Sequence, residues 1–165
     1  MNNTEVEEAL NECQQDLQRV KVIIDSLGLG IGSNIVPYLN SYAVIKACGT
    51  MEVAFKTIVT DYCSRRSKKQ VKEFLAKKVR DNSMNPSYSN ILRTLSEFDE
   101  EWKDKFKDGI NTHIQKNAVL TSMQSLVDAR NSFAHGGNHN LTINDTIAYY
   151  LNFRIAIEML DIIVS

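Results

Sequence analysis

The sequence predicts an all-α protein, and three observations carry that expectation. Apolar residues recur at spacings of three and four along most of the chain, the period of a helix with one buried stripe. Helix-start signatures stand ahead of such runs, at Thr4-Glu5-Val6-Glu7 and at Thr142-Ile143-Asn144-Asp145. Only seven Gly and two Pro punctuate 165 residues, too few for the turns of a many-stranded sandwich. That length suits one domain with one core, and no linker, repeat or low-complexity tract divides residues 1–165.

The elements follow in order. Thr4 is expected to cap a first helix, with Glu7 reaching back as its capping-box partner. Val6, Leu10, Cys13, Leu17, Val20 and Ile24 then form its stripe over about 24 residues, ending near Gly28. GLGIGSN, residues 28–34, is a loop; it is not GxGxxG and no strand precedes it. A second helix is expected from Pro37 to about Arg65. Tyr42, Val44, Ile45, Ala47, Cys48, Met51, Val53, Ala54, Phe55, Ile58 and Val59 make it apolar on more than one side, which suits a central position. Within it, Glu52 and Lys56 stand at i,i+4. They form either an exposed ion pair or a group turned towards a polar site.

Residues 63–80 carry Arg65, Arg66, Lys68, Lys69, Lys72, Lys77, Lys78 and Arg80 against one acid, Glu73. Val71, Phe74, Leu75 and Val79 mark the expected buried stripe of a third helix. The cations form either a solvated face or a phosphate-binding one. DNSMNPSYSN, residues 81–90, is loop by composition. Residues 91–110 read as one or two short helices whose Phe98, Trp102 and Phe106 are core aromatics. Asn111 or Thr112 is expected to cap the next helix, running through Ile114, Ala118, Leu120, Met123, Leu126, Val127 and Phe133 to a stop at Gly136-Gly137. Thr142 caps a last helix with Ile147, Tyr150, Leu151, Ile155, Met159, Ile162 and Ile163 on its stripe.

Composition narrows the function. A net charge of −1 supplies no global field towards nucleic acid or membrane, so any polyanion site must be a local patch. The opening MNNTEVEEALNE lacks the basic and apolar regions of a secretory signal, and no run approaches the roughly 18 apolar residues of a membrane span. Cys13, Cys48 and Cys63 are scattered and form no CxxC, so they are expected as reduced thiols in a cytoplasmic protein. No His, Asp or Glu cluster has metal-ligand spacing, and neither metal nor cofactor is expected.

The chemistry-bearing stretch is Arg130-Asn131-Ser132-Phe133-Ala134-His135, followed by Gly136-Gly137. A histidine in a last helical turn also interacts well with the helix dipole, which by itself explains His135. It does not explain Arg130 and Asn131 one turn earlier. At 100° per residue Asn131 and His135 lie about 40° apart, whereas Arg130 and His135 lie about 140° apart. A straight helix cannot converge those two on one atom. Either the helix distorts, or a second copy of the chain completes the site. His139 is a further proton-carrier candidate, but as a loop residue it is expected in solvent; His113 is expected on the surface at a helix start.

This stretch resembles the R-N-x-x-x-H motif of the HEPN superfamily. It sits late on a long helix, and a turn, a Thr-capped start and a final amphipathic helix follow it. The likeness extends to the two long amino-terminal helices and is nearest the stand-alone bacterial RiboL-PSP-HEPN clade. The resemblance implies a bundle of about five to seven helices with two long antiparallel helices at its centre. It also implies a metal-independent endoribonuclease, acting as a toxin or abortive-infection (anti-phage) effector, whose motif helices meet in a homodimer. Carried over, His135 is the general base or acid near the RNA 2′-hydroxyl, Arg130 clamps the scissile phosphate, and Asn131 orients one of them. Arg65, Arg66, Lys68, Lys69 and Lys72 would supply RNA affinity. The resemblance admits an antitoxin or sensor protein as a further partner. As the alternative, it admits a catalytically silent HEPN module that binds RNA or a protein. One departure stands out. Antitoxin-controlled relatives often carry tyrosine two residues after the histidine, and Gly137 holds that place here, which removes adenylylation at that position as a control.

Overall fold

A computed structural model describes residues 1–26, 28 and 33–165. Among them are seven α-helices and no strand: α1 Thr4–Ser26, α2 Val36–Ser64, α3 Lys69–Leu75, α4 Tyr88–Phe98, α5 Glu100–Thr112, α6 Lys116–Ala134 and α7 Ile143–Val164. A π-helical turn, Ala76–Arg80, continues α3. Of GLGIGSN, residues 29–32 lie outside the described residues. None of the helices is long and apolar enough to cross a membrane.

The expected stripe of α1 is buried at Val6, Leu10, Cys13, Leu17 and Val20, with Ile24 packed at its edge. Its cap is Asn3, one residue before Thr4. The Asn3 side chain accepts from the Val6 amide at 3.1 Å, while Glu7 lies 3.4 Å from the amino-terminal nitrogen. Asn3 also donates to Asp61 at 3.0 Å, and Lys46 meets Asp16 at 2.8 Å, so α1 and α2 run antiparallel. The Tyr150 hydroxyl donates to the Leu10 carbonyl at 2.7 Å, and the Asn3 amide donates to Asp161 at 3.2 Å, which sets α7 antiparallel to α1 as well. These three long helices, with α6, enclose the core around Phe55, Met51, Met123, Leu126, Phe153 and Leu160.

Four expectations need correction. The α7 stripe is centred on Phe153, Ala156, Ile157, Leu160 and Val164, while Leu151 is 41% and Ile162 72% exposed. That helix packs against α1, α2, α5 and α6, so it is apolar on most sides and one stripe cannot be picked out by period. In α3 only Leu75 is buried; Val71 is 44% and Phe74 59% exposed, because seven residues dock by a single side chain before the π turn shifts the register. The helix carrying the motif begins at Lys116, not at Asn111 or Thr112. Thr112 ends α5, its hydroxyl donating to the Asp108 carbonyl at 2.8 Å, and Ile114 is 97% exposed. Accordingly its core residues are Val119, Met123, Leu126 and Val127, while Ala118 is exposed.

The fourth concerns Glu52 and Lys56, which are not an exposed pair. Their side chains are 13% and 6% exposed and meet at 2.5 Å. Glu52 also accepts from the Met84 amide at 2.8 Å, and Lys56 donates to the Asn82 carbonyl. The pair pins the loop after the π turn onto α2. Removing one partner of a buried pair strands the other charge, at a cost of about 3 kcal/mol. Lys56→Ala should therefore lower the melting temperature by roughly 10 °C, by the usual scaling for a chain of this size. A shift under 2 °C in a thermal melt would contradict that role.

Candidate functional site

The motif lies at the carboxyl end of α6, and the chain there is closed by backbone bonds. The Gly136 amide donates to the Phe133 carbonyl at 3.0 Å and the Gly137 amide to the Ser132 carbonyl at 2.8 Å. Together they make a Schellman closure, which satisfies carbonyls the helix end would leave unpaired. Gly136 has φ +77°, a left-handed conformation that glycine adopts without strain. Gly137 is constrained differently: a Cβ there would sit 2.7 Å from the Ser132 hydroxyl oxygen. A side chain at this position would have to turn the Ser132 hydroxyl aside.

α6 stays helical through Ala134, and His135 is its capping residue with φ −96° and ψ 16°. The helix therefore does not distort to bring Arg130 and His135 together. His135 is exposed. Arg130 and Asn131 are half-buried, and the Arg130 guanidinium donates to the Asn131 side-chain oxygen at 3.3 Å, its only side-chain hydrogen bond among the described residues. No carboxylate among those residues forms an ion pair with Arg130, so its charge is available to an incoming anion. Burial pushes the Cys48 thiol on α2 up to about 11, and the positive charge of Arg130 partly offsets that rise.

His139 does not stand in solvent. It is half-buried, and its Nε2 lies 3.2 Å from the Ser41 hydroxyl of α2. Its Nδ1 is buried without a partner, and desolvation lowers its pKa below the ordinary value. The Ser132 hydroxyl donates to the Asn138 carbonyl at 3.0 Å, so the loop after the motif is tied both to α6 and to α2. His113 meets its expectation: its Nδ1 accepts from the Gln115 amide at 3.1 Å in the turn before α6. His139's docking was invisible in the sequence, since only the fold brings Ser41 to it.

The basic residues stand elsewhere. Arg65 caps α2 and stacks 5.6 Å over the Tyr62 ring, and Arg66, Lys68, Lys69 and Lys72 are exposed beyond it. Arg80 is committed to the fold, donating to Thr60 at 2.9 Å and pairing with Asp61. From Ser41, beside the motif loop, to Arg65 is a helical rise of about 36 Å. One chain therefore does not bring its basic run to Arg130 and His135.

A histidine whose pKa is depressed on folding favours the neutral native form. Its stabilising effect is complete above about pH 6.5 and fades as pH falls through the lower native value. Between pH 7 and pH 5 the wild type should lose more melting temperature than His139→Gln, which cannot titrate. Equal losses would show that His139 is not what the acid disturbs.

The comparisons bear on the whole chain. The sequence model of the RiboL-PSP-HEPN family matches residues 3–165. Comparison with curated proteins and with solved structures finds no match. With an all-α bundle of seven helices, the motif at the exposed end of α6, and a match that spans nearly every residue, the chain belongs to the RiboL-PSP-HEPN family of HEPN domains.

Proposed function

We propose that this protein is a dimeric, metal-independent endoribonuclease of the cytoplasm, acting as a toxin or anti-phage effector. The observation that carries the reading is the intact Arg130-Asn131 and His135 set at an open helix end, with Arg130 paired to no carboxylate among the described residues. RNA brings its own nucleophile, so the protein needs only proton carriers and a fixed positive charge. His135 takes the 2′-hydroxyl proton as that oxygen bonds to phosphorus. The phosphorus–O5′ bond breaks, and the leaving oxygen takes a proton from the histidine of a second copy. Arg130 offers a planar fork to the phosphate oxygens as their charge rises. The products are a 2′,3′-cyclic phosphate and a 5′-hydroxyl.

The second copy has a physical motive. Since α6 is regular, Arg130 and His135 of one chain diverge, and a two-fold axis lets the arginine of each serve the histidine of the other. A seam suited to that pairing runs along α2: Tyr42, Ile45, Gly49 and Val53 at spacings of three and four, with the three side chains 50%, 44% and 59% exposed. Beside it Lys46 and Asp16 neutralise one another within the chain, so self-pairing strands no charge. The basic run Arg65, Arg66, Lys68, Lys69 and Lys72 supplies affinity for RNA. A chain that stayed monomeric would favour the other reading, a HEPN module that binds RNA or a partner, antitoxin or sensor, without cutting.

Purified protein in excess EDTA should cut RNA and leave cyclic phosphates, sparing DNA and any substrate with a single 2′-deoxy sugar at the cut. His135→Ala and Arg130→Ala should each lower the rate at least about 100-fold. Loss of cleavage in EDTA with recovery in magnesium, or 5′-phosphate products, would refute these roles.

The seam is tested separately. Ile45→Glu, on an exposed position, should leave the melting temperature within about 2 °C while converting dimer to monomer in light scattering. Cleavage should fall with it. A monomeric variant that cuts at the wild-type rate would end the shared-site proposal.

A further inference from the structure

The end of α6 and the start of α2 enclose a groove of about 490 Å³ that the chemistry above leaves unused. Asn34, Pro37, Tyr38, Ser41, Phe133 and Asn138 line it. We propose that this groove receives one base of the RNA strand, the base next to the phosphate that is cut, and so sets sequence preference. The proposal rests on the ribonuclease reading and adds its specificity site.

Four features point to a base. No side chain that is charged at neutral pH lines the groove, so it is matched to an uncharged group, and a phosphate would find no cation there. Two aromatic rings border it, Tyr38 at 71% and Phe133 at 38% exposure, and neither is stacked on another ring. Flat rings left in water beside a nucleic-acid site are what a base stacks upon. The polar lining is amide and hydroxyl. Asn34 and Asn138 each offer a donor and an acceptor, the mixture that a base edge presents and a phosphate lacks. Neither amide has a side-chain hydrogen bond among the described residues.

The groove is also rigid where it needs to be. Ser132 holds the Asn138 carbonyl at 3.0 Å, His139 holds Ser41 at 3.2 Å, and the Gly137 amide returns to Ser132 at 2.8 Å. These bonds fix one wall relative to the other before any ligand arrives. Position completes the case. Phe133 is two residues before His135 and Asn138 three after it, so a base seated between them brings its own phosphate to the histidine. Phe133 occupies one of the unspecified places of R-N-x-x-x-H, so altering it can change base choice without touching the proton chemistry.

The test uses His135→Ala, which binds without cutting, in the full chain. The probes are hexauridylate, its A, C and G variants at one central site, and the four nucleoside 5′-monophosphates. One hexamer should bind at least about tenfold tighter than the weakest, as expected for a stacked and hydrogen-bonded base. Adding Phe133→Ala or Tyr38→Ala should erase most of that spread, and Asn138→Ala should narrow it. Equal affinities for all four hexamers, or a spread that survives Phe133→Ala, would overturn the proposal. A monophosphate binding tighter than any hexamer would assign the groove to a free nucleotide and overturn it too. In parallel, cut sites of the otherwise wild-type chain and of Phe133→Leu are mapped. A shifted base frequency at the cut supports the groove, and an unchanged one overturns it. If the wild type cuts nothing, the ribonuclease reading fails, while the hexamer series still decides whether the groove reads a base.

Discussion

The structure hangs on α2. Twenty-nine residues long, it is apolar on three sides and packs on α1, α6 and α7. Every other feature of interest is fastened to it. Lys56 and Glu52 hold the loop at 82–84, Thr60 and Asp61 hold the π turn through Arg80, and Ser41 holds the motif loop through His139. Each attachment puts a polar group of α2 against a backbone or side-chain partner that the fold alone supplies. Buried polar groups need such partners, and α2 is where the chain provides them.

The regularity of α6 is the second constraint, and it turns geometry into a statement about assembly. A helix end that unwound would have let Arg130 and His135 share one phosphate. The Schellman closure does the opposite: it keeps helical conformation through Ala134 and exposes the histidine. A chain with this closure gains a stable turn and, on the proposed reading, needs a second protomer to complete the site. The same closure explains Gly137. The amide that satisfies the Ser132 carbonyl draws the backbone to where a Cβ would stand 3.1 Å from that oxygen and 2.7 Å from the Ser132 hydroxyl, so a side chain there would have to turn the hydroxyl aside.

Legibility in the sequence followed burial. α1 packs chiefly on α2 and α7, so its one-sided stripe was readable residue by residue; the Thr142–Asp145 capping box was equally plain, because its two hydrogen bonds are local. α7 was legible as a helix but not in its stripe, since a helix enclosed by four others has no polar face to fix the phase. The start of α6 was missed because Thr112 serves a helix end, a role its sequence neighbours do not distinguish from a cap. Val71 and Phe74 misled for the reverse reason: apolar residues on a seven-residue helix read as core, yet one docking residue, Leu75, is all so short an element can bury. At the site, the motif itself was readable, and so was the angle between its members. The wall opposite was not. Ser41, Tyr38 and Asn34 stand about ninety residues away, and nothing but the packing of α2 on α6 assigns them to the same groove.

The separation of chemistry from charge follows from the same helix. Along α2 the basic end and the motif end are about 36 Å apart, too far for one bound nucleotide to touch both. In the proposed dimer, antiparallel pairing about a point near Ile45 and Gly49 sets the basic end of one α2 beyond the motif end of the other. The axial gap then falls to roughly 20 Å. A single strand lying across the interface would meet cations from one protomer before reaching the histidine contributed by its neighbour. Affinity would then depend on assembly just as the proton chemistry does. In that proposed dimer the two ends of α2, which do not meet within a chain, would cooperate between chains. On that arrangement a net charge of −1 is no obstacle to a polyanionic substrate, because the field that matters is the local one at the seam's two ends.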